Sequence, residues 1–281
     1  MLPRITIVTP SLNQGNYLEE TILSVIGQGY PNLEYIIMDG GSTDNSLDII
    51  HKYEGHFAHW ESGPDEGQAD AINKGFQFST GAILAWLNSD DMYLPGTLNY
   101  IAKHIRNTLD PIIVFGNCRL FNRETKFTSE SDVESSHRTL DITLVDYIIQ
   151  PSCFWTKTVW EMVGPLNIDL VYGLDWDWFI RAKRLGIDFE AVNKLLSLYR
   201  LHAKQKSGTD GKVRITELAR IYKIYHSDAI AHDYLKLRLN PVVEFIEKIM
   251  RRMRVPWRKR IMQSLFLHNL TDEQYDHIIL M

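Results

Sequence analysis

Short β-branched runs alternate with helical spacings along the first ~115 residues, and this alternation leaves few folds open. Residues 5–9 (Ile-Thr-Ile-Val-Thr) read as a buried strand. Leu18, Ile22, Val25 and Ile26 then recur at helical spacing, and Gly27, Gly29 and Pro31 stop the helix. Residues 33–38 form a second strand, and Asp44 is placed to cap a helix carrying Leu47, Ile49 and Ile50. A short third strand is expected over 57–60, a helix through Ala69, Ile72 and Phe76, and a fourth strand over 82–87. Pro95 stands where a helix with Leu98, Ile101 and Ile105 would start, ahead of a fifth strand over 112–115. Such an order predicts an α/β protein with a mostly parallel sheet and helices on its faces.

Residues 116–150 are polar and carry no clear period, so they predict a variable stretch holding at most a hairpin. Order returns at Gln150-Pro151-Ser152-Cys153-Phe154-Trp155 and a short helix. A helix over about 175–185 and a strand over about 195–200 follow, and beyond Lys204 the chain is helical and charged. The chain thus divides into residues 1–208, with halves 1–115 and 116–208, and a helical extension over 209–281. No internal repeat is visible.

At 281 residues and 44% hydrophobic, the chain is large enough for a sizeable core. Its net charge of −5 argues against a nucleic-acid partner. Cys118 and Cys153 form neither a close pair nor a framework, which suits a reducing, cytoplasmic compartment. The apolar run at 5–9 is too short for a signal peptide or a membrane span, so a soluble or peripheral protein is expected.

Chemistry gathers where strands end. Trp86-Leu87-Asn88-Ser89-Asp90-Asp91 sets oxygen-bearing side chains on the turn after the fourth strand, where open α/β sheets bind ligands. Two adjacent acids there suit a hard divalent cation that takes its remaining ligands from phosphates and water, or else they cap the turn. Asp39-Gly40-Gly41-Ser42-Thr43-Asp44 repeats the pattern after the second strand, with Asp39 able to accept from a base or ribose. The loop 62–75 contributes Asp65, then Asp70, Asn73 and Lys74 on a helix. No Gly-x-Gly-x-x-Gly follows a strand and no P-loop is present, which argues against dinucleotide and P-loop enzymes.

These segments in this order, opened by Val8-Thr9-Pro10-Ser11-Leu12-Asn13-Gln14, resemble the family-2 glycosyltransferases with the GT-A fold over residues 4–207. Asp-Gly-Gly-Ser-Thr-Asp, Gly-Gln-Ala-Asp-Ala-Ile-Asn-Lys-Gly and Leu-Asn-Ser-Asp-Asp are similar to a bacterial subgroup tied to O-antigen and capsule assembly. The resemblance implies a mostly parallel mixed sheet flanked by helices, with a helical C-terminal extension. It also implies inverting transfer from a nucleoside diphosphate sugar, UDP-sugars favoured, to a saccharide or lipid-linked saccharide. Asn88-Ser89-Asp90 stands where the family carries Asp-x-Asp, so a Mg²⁺ or Mn²⁺ ion falls to Asp90, with Asp91 a second candidate. Thr9, Pro10, Ser11, Asn13, Asp39, Asp65, Asn73, Asn88 and Ser89 would hold the nucleotide sugar.

By the same resemblance Asp175 is the general base, with Leu174 in place of the family's preceding Glu and Asp177 the rival. As an acid at a helix start Asp175 also suits an N-cap, and the two roles are compatible. Trp176 and Trp178 read as core in preference to a sugar platform. His202 would complete the metal site, and Arg200, Lys204 and Lys206 would reach phosphate. The Asn for Asp at 88 and the loss of acid at 174 leave a non-catalytic nucleotide-sugar binder as the alternative.

The extension has its own signal. Asn240-Pro241 starts a helix, and between 240 and 260 seven basic residues face two acids. This stretch either packs with its charges in water or lies on an anionic membrane surface.

Overall fold

The computed structural model describes residues 2–105, 108–203, 205–206, 211–252, 262–263, 267, 269–271 and 274–276. The chain opens with β1 (Ile5–Ser11), α1 (Leu18–Ile26), β2 (Leu33–Asp39), α2 (Ser46–Tyr53), β3 (His59–Ser62), α3 (Gln68–Gln77) and β4 (Ile83–Trp86). It continues with β5 (Met92–Tyr93), α4 (Thr97–His104), β6 (Ile112–Phe121), β7 (Thr128–Glu130), α5 (Val133–Thr139), β8 (Cys153–Thr156), α6 (Lys157–Val163) and α7 (Leu174–Arg184). β9 (Asp188–Arg200), α8 (Gly211–Tyr225), α9 (Asp228–Leu239) and α10 (Pro241–Arg252) complete the order.

The described strands make a single mixed sheet in the order β3-β2-β1-β4-β8-β6-β9-β5, with β7 hairpinned onto β6. β3, β2, β1 and β4 are mutually parallel, while β8 runs antiparallel to both β4 and β6. Every residue of β1 and β4 is buried, as expected of central strands covered on both faces by helices. α1 covers the sheet with Leu18, Ile22 and Val25, and α3 with Ala69, Ile72 and Phe76. Neighbouring β2 and β4 flank β1, so chain order reverses beside it and a crevice opens outside the strands' carboxyl ends.

Aromatic rings join the two halves. Trp155 of β8 meets Trp86 of β4 at 5.3 Å and Trp178 of α7 at 4.9 Å between ring centroids. Trp176 and Trp178 are fully buried, with indole N–H groups donating to Ile142 O and Gly164 O, so both belong to the core.

Several boundaries differ from the sequence expectation. The third strand begins two residues late, because residues 54–57 close a turn and only His59–Ser62 pairs with β2. β6 and β9 run longer than 112–115 and 195–200, since they pair with each other in parallel register along half-exposed, mixed-polarity stretches. The expected hairpin in 116–150 is β6–β7, but α5 also forms there, capped by Asp132 through the Ser135 N–H. α4 starts at Thr97, after Gly96 in the left-handed region, and Pro95 precedes it. Asp44 serves the start of α2 from one residue before the cap position, accepting from Ser46 N at 2.9 Å and from Gly15 N at 2.9 Å. Asn240 caps α10 as expected, accepting from Val242 N and Val243 N.

Candidate active site

A cleft of about 860 Å³ opens at the carboxyl ends of β1 and β4. Pro10, Ser11, the 65–69 loop and Asn88 through Asp91 line it, together with Asp146, Gln150, Leu174, Asp175, Tyr199 and Lys206. Three strand ends and one helix start therefore supply the chemistry, as the topology requires.

The turn after β4 is braced by the end of β9. Arg200 N donates to Asp91 Oδ1 at 3.1 Å, and Arg200 Nε donates to Asp90 O at 3.0 Å. The Arg200 guanidinium is 3% exposed, packed 5.0 Å from both the Tyr17 and Phe121 rings, and bonded to Glu20 at 2.8 Å. Burial works against the Glu20 carboxylate, but hydrogen bonds from Arg123 and Arg200 outweigh it and hold its pKa low. Arg200 thus shapes the turn from behind. Asp91 is 1% exposed, and burial, then the neighbouring Asp90 charge, push its carboxyl well above the usual range.

Asp90 faces the other way. Its Oδ2 lies 3.1 Å from His202 Nε2, and the His202 ring packs on Tyr17 at 4.4 Å. That 3.1 Å is close to the spacing of two adjacent ligands on an octahedral ion with bonds of about 2.1 Å. One carboxylate and one imidazole suit Mn²⁺ better than Mg²⁺. Among the described residues no cluster of three or more His, Cys, Asp or Glu gathers to hold a metal. A cation here would take its other ligands from a diphosphate and water, as such ions do at phosphate sites.

Of the residues expected to hold a nucleotide sugar, Pro10, Ser11, Asp65, Asn88 and Ser89 line the cleft. Gln68, not anticipated, clasps the turn by donating to Asn88 Oδ1 at 2.7 Å while accepting from Lys206 at 2.9 Å. Asp65 accepts from Gly67 N, and Gly40 lets this loop approach, since a Cβ there would stand 2.7 Å from Asp65 Oδ2. The other candidates are not among the residues that line the cleft. Thr9 is buried against Tyr35 OH, and Asn13 accepts from Thr43 N at 2.8 Å. Asn73 makes two 2.9 Å bonds to the Leu166 backbone. Asp39 is 4% exposed and accepts from Gly41 N, Ser42 N, Ser42 Oγ and Ser62 Oγ. Lys204 lies outside the described residues.

Asp175 also lines the cleft; it stands in the first turn of α7 and accepts from Trp176 N at 2.9 Å. The N-cap position is Gly173, not Asp175. Burial raises the Asp175 pKa against the pull of that N–H and of Lys206 and Arg214. Asp177, the rival, is outside the cleft wall and bonds Arg181 Nε at 2.9 Å and Tyr225 OH at 2.6 Å.

Two acids here had little sequence signal. Glu217 of α8, 7% exposed, accepts from Val171 N, Tyr172 N and Gly173 N at 2.8, 2.6 and 2.7 Å, fixing the turn into α7. Gly173 allows this packing, since a Cβ there would come 2.5 Å from Ile221 Cδ1. The available clue was an acid on the apolar stripe shared with Leu218 and Ile221. Asp146 lines the cleft from the aperiodic stretch, marked only by its position four residues before Gln150-Pro151.

The profile of Glycosyl transferase family 2 matches residues 6–158, more than half of the chain. An uncharacterized glycosyltransferase of Rickettsia prowazekii is 28% identical over 225 residues, covering 74% of this chain and 67% of that protein. A chondroitin synthase of Pasteurella multocida is 25% identical over 210 residues, 73% of this chain but 21% of the synthase. Among solved structures, S. aureus TarS 1–349 in complex with UDP superposes with a TM-score of 0.60 at 16% identity, covering 84% of this chain and 72% of that one. The Pyrobaculum calidifontis mannosyltransferase in complex with GDP-Man and Mn²⁺ gives 0.56 at 16% identity, covering 100% and 74%. The fold is therefore of GT-A type, and the chain belongs to glycosyl transferase family 2 as a glycosyltransferase.

Proposed function

We propose that the protein transfers a sugar from a nucleoside diphosphate sugar, a UDP-sugar by preference, to an acceptor hydroxyl, with inversion at the anomeric carbon. One observation supports this reading: Asp175 and the Asn88–Ser89–Asp90 turn line the same cleft. The solved relatives carry UDP in one case and GDP-Man with Mn²⁺ in the other, which supports a donor of that class.

Pro10, Ser11, Asp65, Asn88 and Ser89 bind the donor, with Thr9, Asn13, Asp39, Asn73 and Arg200 holding those segments in place. Asp90 and His202 are the residues that would hold Mn²⁺ or Mg²⁺, with Asp91 as a backing carboxyl. Such an ion, when bound, offsets negative charge growing on the departing diphosphate. Asp175 takes the proton of the acceptor hydroxyl as its oxygen bonds the anomeric carbon from the face opposite the leaving group. Burial makes Asp175 a stronger base than an exposed carboxylate, and its acid limb should lie above the ordinary carboxylate range. We assign the reaction to bacterial surface polysaccharide assembly on the cytoplasmic side, with a saccharide or lipid-linked saccharide acceptor.

Calorimetric titration with UDP, GDP, TDP and CMP, with and without Mn²⁺, tests the donor site. One diphosphate should bind in a metal-dependent way, and Asp90→Ala should abolish that dependence. Asp175→Asn should keep donor binding and lose about 10²–10⁴-fold in turnover. Failure of the folded protein to bind any nucleotide would sink the donor reading, and near wild-type turnover in Asp175→Asn would move the base elsewhere.

A further inference from the structure

Two side chains of the cleft stand idle in the reaction above, Tyr172 and Arg214. Both belong to its lining, and both are partly exposed. Glu217 brings them together. It stands one helical turn after Arg214 on the same side of α8 and accepts from Tyr172 N at 2.6 Å, so Arg214 lies beside the turn that leads into Asp175's helix. Neither side chain is engaged by the fold. The Tyr172 ring and hydroxyl have no aromatic, cation–π or hydrogen-bond partner among the described residues, and the Arg214 guanidinium has no hydrogen bond or ion pair there. Positive charge is scarce in this cleft: Lys206 and Arg214 are the basic residues of a lining that holds six acids. Lys206 is bonded to Gln68 on the donor side. Arg214 acts on Asp175 and Asp146 through space and pairs with neither, so its donors are open to a ligand.

We propose that Tyr172 and Arg214 form the acceptor subsite and that the acceptor is an acidic sugar: its pyranose ring lies on the Tyr172 ring, and a carboxylate or phosphate that it carries is bound by the Arg214 fork. The proposal rests on Asp175 being the base, and it names the class of acceptor that the base serves.

The chemistry of each group fits. A pyranose face of C–H hydrogens is apolar and slightly positive, and the face of a phenol ring is apolar and negative. Tyrosine offers that surface with few rotatable angles, and the Glu217 bond holds its backbone, so little freedom is lost on binding. A guanidinium meets a carboxylate or phosphate with two parallel N–H bonds, stronger than neutral ones. Asp175 stands three residues past Tyr172, in the first turn of α7, where it receives the proton of a hydroxyl on the same sugar. The acids of the cleft repel an anionic sugar that no cation answers, so the arginine also decides which acceptors enter.

Binding of three probes to the full chain tests this: methyl β-D-glucuronide, methyl β-D-glucoside 6-phosphate and neutral methyl β-D-glucoside. Ligand-observed NMR gives the dissociation constants, with and without UDP and Mn²⁺, so the result does not depend on the donor. At least one charged probe should bind about 10–100-fold more tightly than the neutral one, and the tighter of the two identifies the anion as carboxylate or phosphate. Arg214→Gln should erase the preference, and Arg214→Lys should keep part of it. Tyr172→Leu should weaken charged and neutral probes alike by about three- to tenfold, while Tyr172→Phe should bind as wild type does. Both side chains are partly exposed, so the core stays intact in these variants, and circular dichroism checks it. A wild type that binds none of the probes, or binds the neutral one as tightly as both charged ones, overturns the proposal. So does Tyr172→Leu with unchanged affinities, or a preference that survives Arg214→Gln, which would mean that the guanidinium only balances the buried carboxyls. Failure of UDP to bind while the probes behave as expected would count against the donor reading alone.

Discussion

Glu34 sits at the amino-terminal end of the sheet, on the side opposite the cleft, and shows what a satisfied buried acid looks like. It accepts from Thr6 Oγ1, Thr80 N and Thr80 Oγ1 at 2.5–2.6 Å and lies 3.6 Å from Arg4. Burial works against its charge, but the bonds from Thr6 and Thr80 win and hold its pKa down. A carboxyl whose pKa is lower folded than unfolded stabilises the fold above its unfolded pKa, and that stability fades as pH falls through the folded value. Glu34→Gln should therefore cost about 1–3 kcal/mol at pH 7, and the gap from wild type should shrink below about pH 4. Urea denaturation at both pH values checks it, and a gap that is constant with pH would assign the loss to packing. At this scale the sequence shows which acids end strands but not what answers them. Asp39 and Asp90 look alike in the sequence, yet Ser42 and Ser62 occupy the first while the second faces His202. Ser42 stands in the same loop as Asp39, but Ser62 and His202 come from distant segments, so spacing along the chain carries no record of them.

Elements were easier to read where one face is apolar and one polar. α1, α3 and α7 follow from their spacing, and β1, β2 and β4 from continuous apolar runs. β5 has two residues and exists because Met92 and Tyr93 pair with Leu198 and Ser197, a contact made across a hundred residues. α8 was legible as a helix, but its hold on α7 was not. Glu217 accepts the three N–H groups that lead into Asp175's helix, each bond charge-assisted. Glu217→Ala leaves those donors without their acceptor, the Gly173 N–H in a buried position, which should cost about 1–3 kcal/mol and let the start of α7 drift. A shift of ~1 Å in a reacting group can cost about 10²-fold. Turnover should thus fall by about that factor while the donor dissociation constant stays within about threefold. Equal loss of donor affinity and turnover would show instead that the whole cleft had been disturbed.

Across the whole molecule, no helix of the described residues is long and apolar enough to cross a membrane. α10 nonetheless presents Val242, Phe245 and Ile249 at 59%, 63% and 39% exposure, while Val243 is buried. Of the basic stretch 248–260 that prompted a membrane reading, residues 253–260 lie outside the described residues, and the charge of the stretch is known from the sequence alone. If this stretch lies on anionic lipid, the chain should co-sediment with phosphatidylserine vesicles and not with neutral ones. Added salt, or Phe245→Asp with Val242→Asp, should release it. Binding that ignores lipid charge would exclude the contact. The pairing of β5 with β9 has another consequence, for the order in which the protein is made. Domains assemble as the ribosome delivers them, amino end first. A nascent chain that has emerged only through α6 can stack β1, β2, β3 and β4, but Met92 and Tyr93 have no strand to join and Asp91 has no Arg200. The turn that bears Asp90 therefore reaches its final shape only when residues near 200 leave the exit tunnel, so translation finishes the fold's foundation long before it finishes its working surface.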